Sequence, residues 1–168
     1  MKKIRTSRGV VLAGAVVLAS VALTGCSSIL FGAATGDASR DEAGAVQSEE
    51  KIDIFNLKVG DCKMEDVPGD IADTKVVPCA EPHDEEVYFE FTLEDGEYPG
   101  EEAVGVAADE RCYEEFETFA GIPYEDSTLD FFPFTPTEQG WAEGDQVVQC
   151  VIWDPAGPVA GTLAGAAR

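Results

Sequence analysis

This sequence has little positive charge, a single histidine and no apolar run long enough to cross a bilayer. Of its 168 residues, 33 are Asp or Glu and 11 are Lys or Arg, a formal charge of −22 at pH 7. Four of the basic residues, Lys2, Lys3, Arg5 and Arg8, precede the first apolar stretch. From residue 26 onward the balance is 7 basic against 33 acidic, a formal −26. Such a surface repels phosphate backbones, which excludes nucleic acid as a partner. It also stands off anionic lipid headgroups within a screening length of about 8 to 10 Å. Its first use is solubility, and attraction of cations or basic partners comes second. One histidine and no C-x-x-C spacing argue against a zinc site, so no metal or cofactor is expected. There is no G-x-S-x-G elbow for a hydrolase and no D-x-D-x-D-G loop for calcium. No internal repeat is visible.

Residues 10–19 and 21–23 are apolar and are interrupted by Ser20. A spanning helix needs about 18 to 20 apolar residues, so this run is too short. A basic start before a short apolar core is the pattern of a secretory signal. The run closes on Leu23-Thr24-Gly25-Cys26, which resembles the lipobox of bacterial lipoproteins. That resemblance implies cleavage before Cys26, a diacylglyceryl thioether on its sulfur and attachment to membrane lipid. Two or more acyl chains hold a protein to a bilayer stably, where one does so only marginally. Residues 1–25 are then a signal peptide, 26–51 a lipidated cysteine with a flexible tether, and 52–168 one extracytoplasmic domain. The tether reading rests on the small, polar, aperiodic composition of residues 27–50.

With Cys26 assigned to lipid, four cysteines remain: Cys62, Cys79, Cys112 and Cys150. An even number in an exported chain reads as two disulfides. Sequence leaves three connectivities open. Cys62–Cys79 with Cys112–Cys150 is preferred, because the first closes a local loop and the second ties a helix to a strand.

The stretch "EEVYFEFTL" alternates Val87, Phe89, Phe91 and Leu93 with Tyr88, Glu90 and Thr92, a strand with one buried face. "DTKVVPC" and "QVVQCVIWD" are further strands. In 101–120, Val104, Ala108, Cys112, Phe116 and Phe119 form one helical stripe, with Glu101 and Glu102 in the first turn. Gly121 and Pro123 end that helix. "LDFFPFTPTEQGWAEGD" reads as a packed loop with a helical turn near 138–141. "GPVAGTLAG" reads as an edge strand or a tail. Together these make an α+β domain, one main helix on a small antiparallel sheet, stapled by two disulfides.

The segments "VGDC" (59–62), "VVPCAEPHDEEVY" (76–88), "YPGEEAV" (98–104), Cys112, "PTEQGWAEGDQVVQC" (136–150) and "GTLAG" occur in order. As a set they resemble the septum-formation domain of actinobacterial membrane proteins and lipoproteins. The resemblance implies an envelope location, two disulfides and a link to cell division. It implies no catalytic residue.

Three side chains are candidate binding residues: His83, Asp84 and Trp141. His83 in "EPHDEE" could act as base or ligand with Asp84, Glu85 or Glu86, or could simply sit in a Pro82 turn. Trp141, with Phe131, Phe132 and Phe134, could line a groove or fill the core. The acidic helix face, Asp109, Glu110, Glu114, Glu115 and Glu117, reads as solvated. The expected activity is a monomeric, non-enzymatic binding or scaffolding module with an envelope or division protein as partner. The rival is a wall hydrolase or metal enzyme built on His83 and nearby carboxylates.

Overall fold

A computed structural model describes residues 36–67 and 72–168 of the chain. The basic leader, Cys26 and the first part of the expected tether lie outside the described residues. Six strands form one sheet: β1 (Glu50–Asp53), β2 (Cys62–Lys63), β3 (Asp73–Val77), β4 (Glu85–Thr92), β5 (Asp130–Phe134) and β6 (Val147–Trp153). Their order is β1-β3-β2-β4-β6-β5, and every pairing is antiparallel. One long helix, α1 (Glu101–Ala120), packs on one face, and a short helix, α2 (Glu138–Ala142), precedes β6. This is the expected α+β architecture.

The apolar stripe of α1 explains its place. Val104, Ala108, Cys112, Phe116 and Ala120 are buried, at the spacing of four that puts them on one side. They meet Tyr88, Val148, Cys150 and Ile152 from the sheet. Phe116 stands edge-on to Tyr88 and Tyr124, with centroids 6.3 and 5.2 Å away. The helix stops at Gly121, whose φ of 80° is left-handed and whose N–H caps Glu117 O. A Cβ there would lie 3.3 Å from the Gly165 Cα, so the site demands glycine twice over. Cys112 of α1 is bonded to Cys150 of β6, and Cys62 of β2 to Cys79. Both bridges are the preferred ones.

Four local expectations are revised. Residues 36–50 are not a tether. Ala38 and Val46 join Ile52, Leu57, Val76, Val87 and Val151 in a second apolar cluster on the face away from α1. Arg40 secures this segment by a forked ion pair to Asp61, which is 1% exposed, with Nη2–Oδ2 at 2.8 Å. The folded unit therefore begins well before residue 52. Second, "DFFPF" is strand β5 rather than loop; a proline is tolerated because β5 is an edge. Third, β4 does not alternate evenly. Val87 opposes Val151 and Phe89 opposes Cys150, so Tyr88 is a bulge. The bulge sends Val87 to the far face and lets Tyr88, Phe89 and Phe91 all serve the helix side. The segment after β6 is neither strand nor loose tail; it joins the sheet by a single His83–Val159 bridge.

Arg40→Ala is expected to cost about 2 kcal/mol, since it strips a buried carboxylate of its charged partner. Limited proteolysis should then cut within 37–48 first. Resistance equal to the wild type would refute the role given to this ion pair.

Candidate functional site

An open cleft of about 440 Å³ lies where the ends of β5 and β6 meet the start of β4. Phe132 and Trp153 line it with Phe131, whose ring packs on the α1 side, and its acidic rim is Glu65, Asp84, Glu85, Asp130 and Asp154. Two wider hollows, at the β1–β3 edge and at the start of α1, carry no aromatic side chain. Pairing of β5 with β6 sets Asp130 opposite Trp153 and Phe131 opposite Ile152. The carboxylates arrive from four separate segments of the chain, so the rim is a product of topology.

The rim is only partly neutralised. Glu85 pairs with Lys63, and Asp154 with Arg168 at 2.8 Å. Among the described residues no Lys or Arg pairs with Glu65, Asp84 or Asp130. Asp84 accepts from the Glu65 N–H at 2.9 Å, which braces the rim. Asp130 accepts from the Tyr124 hydroxyl at 2.8 Å, and that contact pushes the Tyr124 phenol upward. Burial pushes the Glu85 carboxyl above its ordinary range, and the Lys63 ammonium opposes the push. Aromatic faces beside uncompensated carboxylates suit a cationic side chain, through ring quadrupole and charge together.

His83 sits behind this cleft, fully buried. Its backbone exchanges two hydrogen bonds with Val159, both 2.9 Å. Its Nδ1 lies 2.9 Å from the Glu81 carbonyl, which can only accept, so Nδ1 carries the proton. Nε2 then holds a lone pair and has no partner. Glu86, 2% exposed, accepts from the Thr162 hydroxyl and the Leu163 N–H, each at 2.6 Å. The structure thus separates neighbours in sequence: Asp84 lines the cleft, while His83 and Glu86 lie in the interior. Trp141 is away from both. It is 7% exposed, stacks edge-on with Tyr98 at 5.7 Å and donates its indole N–H to Gly96 O at 2.8 Å. The acidic face of α1 is mostly open to solvent, with Arg111 bridging Glu114 and Glu115.

Sequence reasoning singled out Asp84, Phe131 and Phe132 but missed Glu65, Asp130 and Trp153. Trp153 ends a recognisable strand, so its position at a strand end was the available signal. Recognising "DFFPF" as a strand would have placed Asp130 opposite it.

A family model described as "Septum formation" matches residues 35–163. The chain belongs to the septum-formation family. The match starts close to where the packed segment starts, and so agrees with a folded unit that includes residues 36–51. It spans the cleft, both disulfides and the His83 region. No match was found among curated proteins, nor among solved structures. Among the described residues, no helix of this septum-formation domain is long and apolar enough to cross a membrane. The family suggests a role in septum formation or cell division.

Proposed function

We propose that this chain is an extracytoplasmic, lipid-anchored module of septum formation that binds or scaffolds another envelope protein without catalysis. The observation that carries the reading is the cleft between β4, β5 and β6, where Phe132 and Trp153 meet Glu65, Asp84 and Asp130, carboxylates that pair with no Lys or Arg among the described residues. A basic segment of a division protein would lay a Lys or Arg against Phe132 and Trp153 and form ion pairs with Glu65, Asp84 and Asp130. Anchoring is argued from the signal pattern and from Leu23-Thr24-Gly25-Cys26. Acylation at Cys26 would keep the domain at the membrane, where the wall is built. Binding as a monomer suffices for this role.

The rival, a hydrolase using His83 as base, is weakened by the burial of that ring and by the use of its Nδ1. A general base must reach the proton it removes.

The test is localisation of a tagged full-length protein in dividing cells, beside Cys26→Ser and the double charge reversal Glu65→Lys, Asp84→Lys. Septal enrichment is expected for the native chain. Cys26→Ser should pass to the soluble fraction. The charge-reversed chain should stay in the membrane and lose septal enrichment. An even membrane distribution of the native chain would defeat the division role, and retained enrichment after charge reversal would defeat the cleft.

A further inference from the structure

We propose that opening the Cys62–Cys79 bridge turns Cys62, His83 and Glu86 into a buried site for a divalent transition-metal cation of the zinc class. Cys62 Sγ, a ring nitrogen of His83 and a carboxylate oxygen of Glu86 lie within 4.8 Å of one another, all buried. The β2–β4 register puts Cys62 directly opposite Glu86, and His83 precedes Glu86 by three residues. In the bridged state the sulfur has no thiolate to offer, and the site is incomplete.

The decisive observation is the unpaired Nε2 of His83, an atom in the fully buried interior with no hydrogen-bond partner. Such orphans are rare and costly in a native core. The other members of the cluster are a disulfide sulfur and a carboxylate, and neither has a proton to donate to it. The shell around the cluster is already that of a metal site. Ligating histidines almost always donate their other ring N–H to a carbonyl or carboxylate, and ligating carboxylates are themselves hydrogen-bonded. Here Nδ1–H meets Glu81 O at 2.9 Å, and Glu86 is held by Thr162 and Leu163. Thiolate, imidazole and carboxylate are zinc's own ligand set, and three protein ligands leave one position for water or for Cys79. Tetrahedral ligands stand about 3.3 to 3.8 Å apart, so ligand atoms up to 4.8 Å apart would draw together by about 1 Å on binding.

The chemistry balances with a dithiol as reductant. Its thiolate attacks the sulfur of Cys79, the less buried of the two residues, and Cys62 Sγ leaves as a thiolate. The second thiol of the reductant then closes on the first, releasing Cys79. The S–S bond has taken up two electrons and two protons, and the dithiol has become a disulfide. The cation takes the place of the Cys62 proton, which passes to solvent. The bound ion would then hold β2, β4 and the 159–163 segment together in place of the bridge.

The test uses the full chain with Cys26→Ser, so that the fifth thiol cannot ligate. Mild reduction should open the bridge at partly exposed Cys79 and leave the fully buried Cys112–Cys150 closed, as peptide mapping should verify. Cobalt(II) is then titrated. The reduced protein should take up one ion and show a thiolate-to-cobalt absorption band, and the bridged protein should show none. Zinc should displace the cobalt and raise the melting temperature of the reduced form. His83→Gln should weaken binding by at least about tenfold. If that variant unfolds, zinc-edge X-ray absorption of the reduced parent chain decides the matter. A mixed sulfur and imidazole shell supports the site. An all-sulfur or all-oxygen shell, no thiolate band, or a band untouched by His83→Gln overturns it.

Discussion

Removing the Cys112–Cys150 bridge by the paired substitution Cys112→Ala, Cys150→Ala is expected to cost about 4 kcal/mol. The bridge spans 38 residues, enough to take much freedom from the unfolded chain. It is also the one covalent tie between α1 and the sheet. Both cysteines are fully buried among Tyr88, Phe116 and Val148, so the alanines leave gaps as well as a longer loop. The melting temperature should fall by roughly 10 to 20 °C for a domain of this size. Urea denaturation of the double variant, with helix content checked by circular dichroism, reads the effect. A loss below about 1 kcal/mol would mean that the aromatic packing around Phe116 holds α1 unaided. The 17-residue loop closed by Cys62–Cys79 predicts a smaller loss, about 3 kcal/mol on the same reasoning.

Lys63→Met should cost roughly 3 to 5 kcal/mol at neutral pH, and much less in mild acid. Lys63 is completely buried. Its ammonium serves Glu85, Asp66 at 2.7 Å and the Met64 carbonyl at 3.0 Å, and it lies 5.3 Å from the Phe134 ring centre. Methionine keeps most of the volume and deletes the charge, which leaves two carboxylates facing each other without a cation. Burial already raises the Glu85 carboxyl, and loss of Lys63 removes the attraction that opposes the rise. A carboxyl raised in the folded state favours folding when protonated and disfavours it when ionised. The deficit should therefore be full above the raised value and shrink as pH falls through it, toward the ordinary carboxylate range of about 4 to 5. Denaturant midpoints of both proteins across that range give the answer. A deficit that does not change with pH would show that the packing of the Lys63 stem, not its charge, matters.

Much of this fold was legible because its strongest elements have strong periods. The four-residue spacing of Val104, Ala108, Cys112 and Phe116 marks α1, and the spacing of Val148, Cys150 and Ile152 marks β6. The disulfide pairing followed from placing Cys112 on the first stripe and Cys150 on the second. The rest was hidden for physical reasons. β2 is two residues long, too short to show a period. β5 contains Pro133, which reads as a loop signal until the strand is known to be an edge. The Tyr88 bulge shifts the phase of β4, and no side chain announces it. The packed segment 36–50 has few apolar residues, and besides Ala38 and Val46 its hold comes from long-range ion pairs, Arg40 with Asp61 and Lys58 with Asp37 among them. The cleft was half legible. Asp84 and the two phenylalanines stand out by type, but the rim joins distant segments that only the strand order brings together.

The open flank of β5 bears on self-association. An edge strand offers unpaired backbone groups to any other strand that comes alongside. Pro133 supplies no N–H at that edge, so an incoming strand cannot extend an unbroken ladder. Acidic residues flank it, and the strongly negative surface repels a second copy before it docks. The residue that disguised the strand in the sequence also guards it against sheet-to-sheet aggregation.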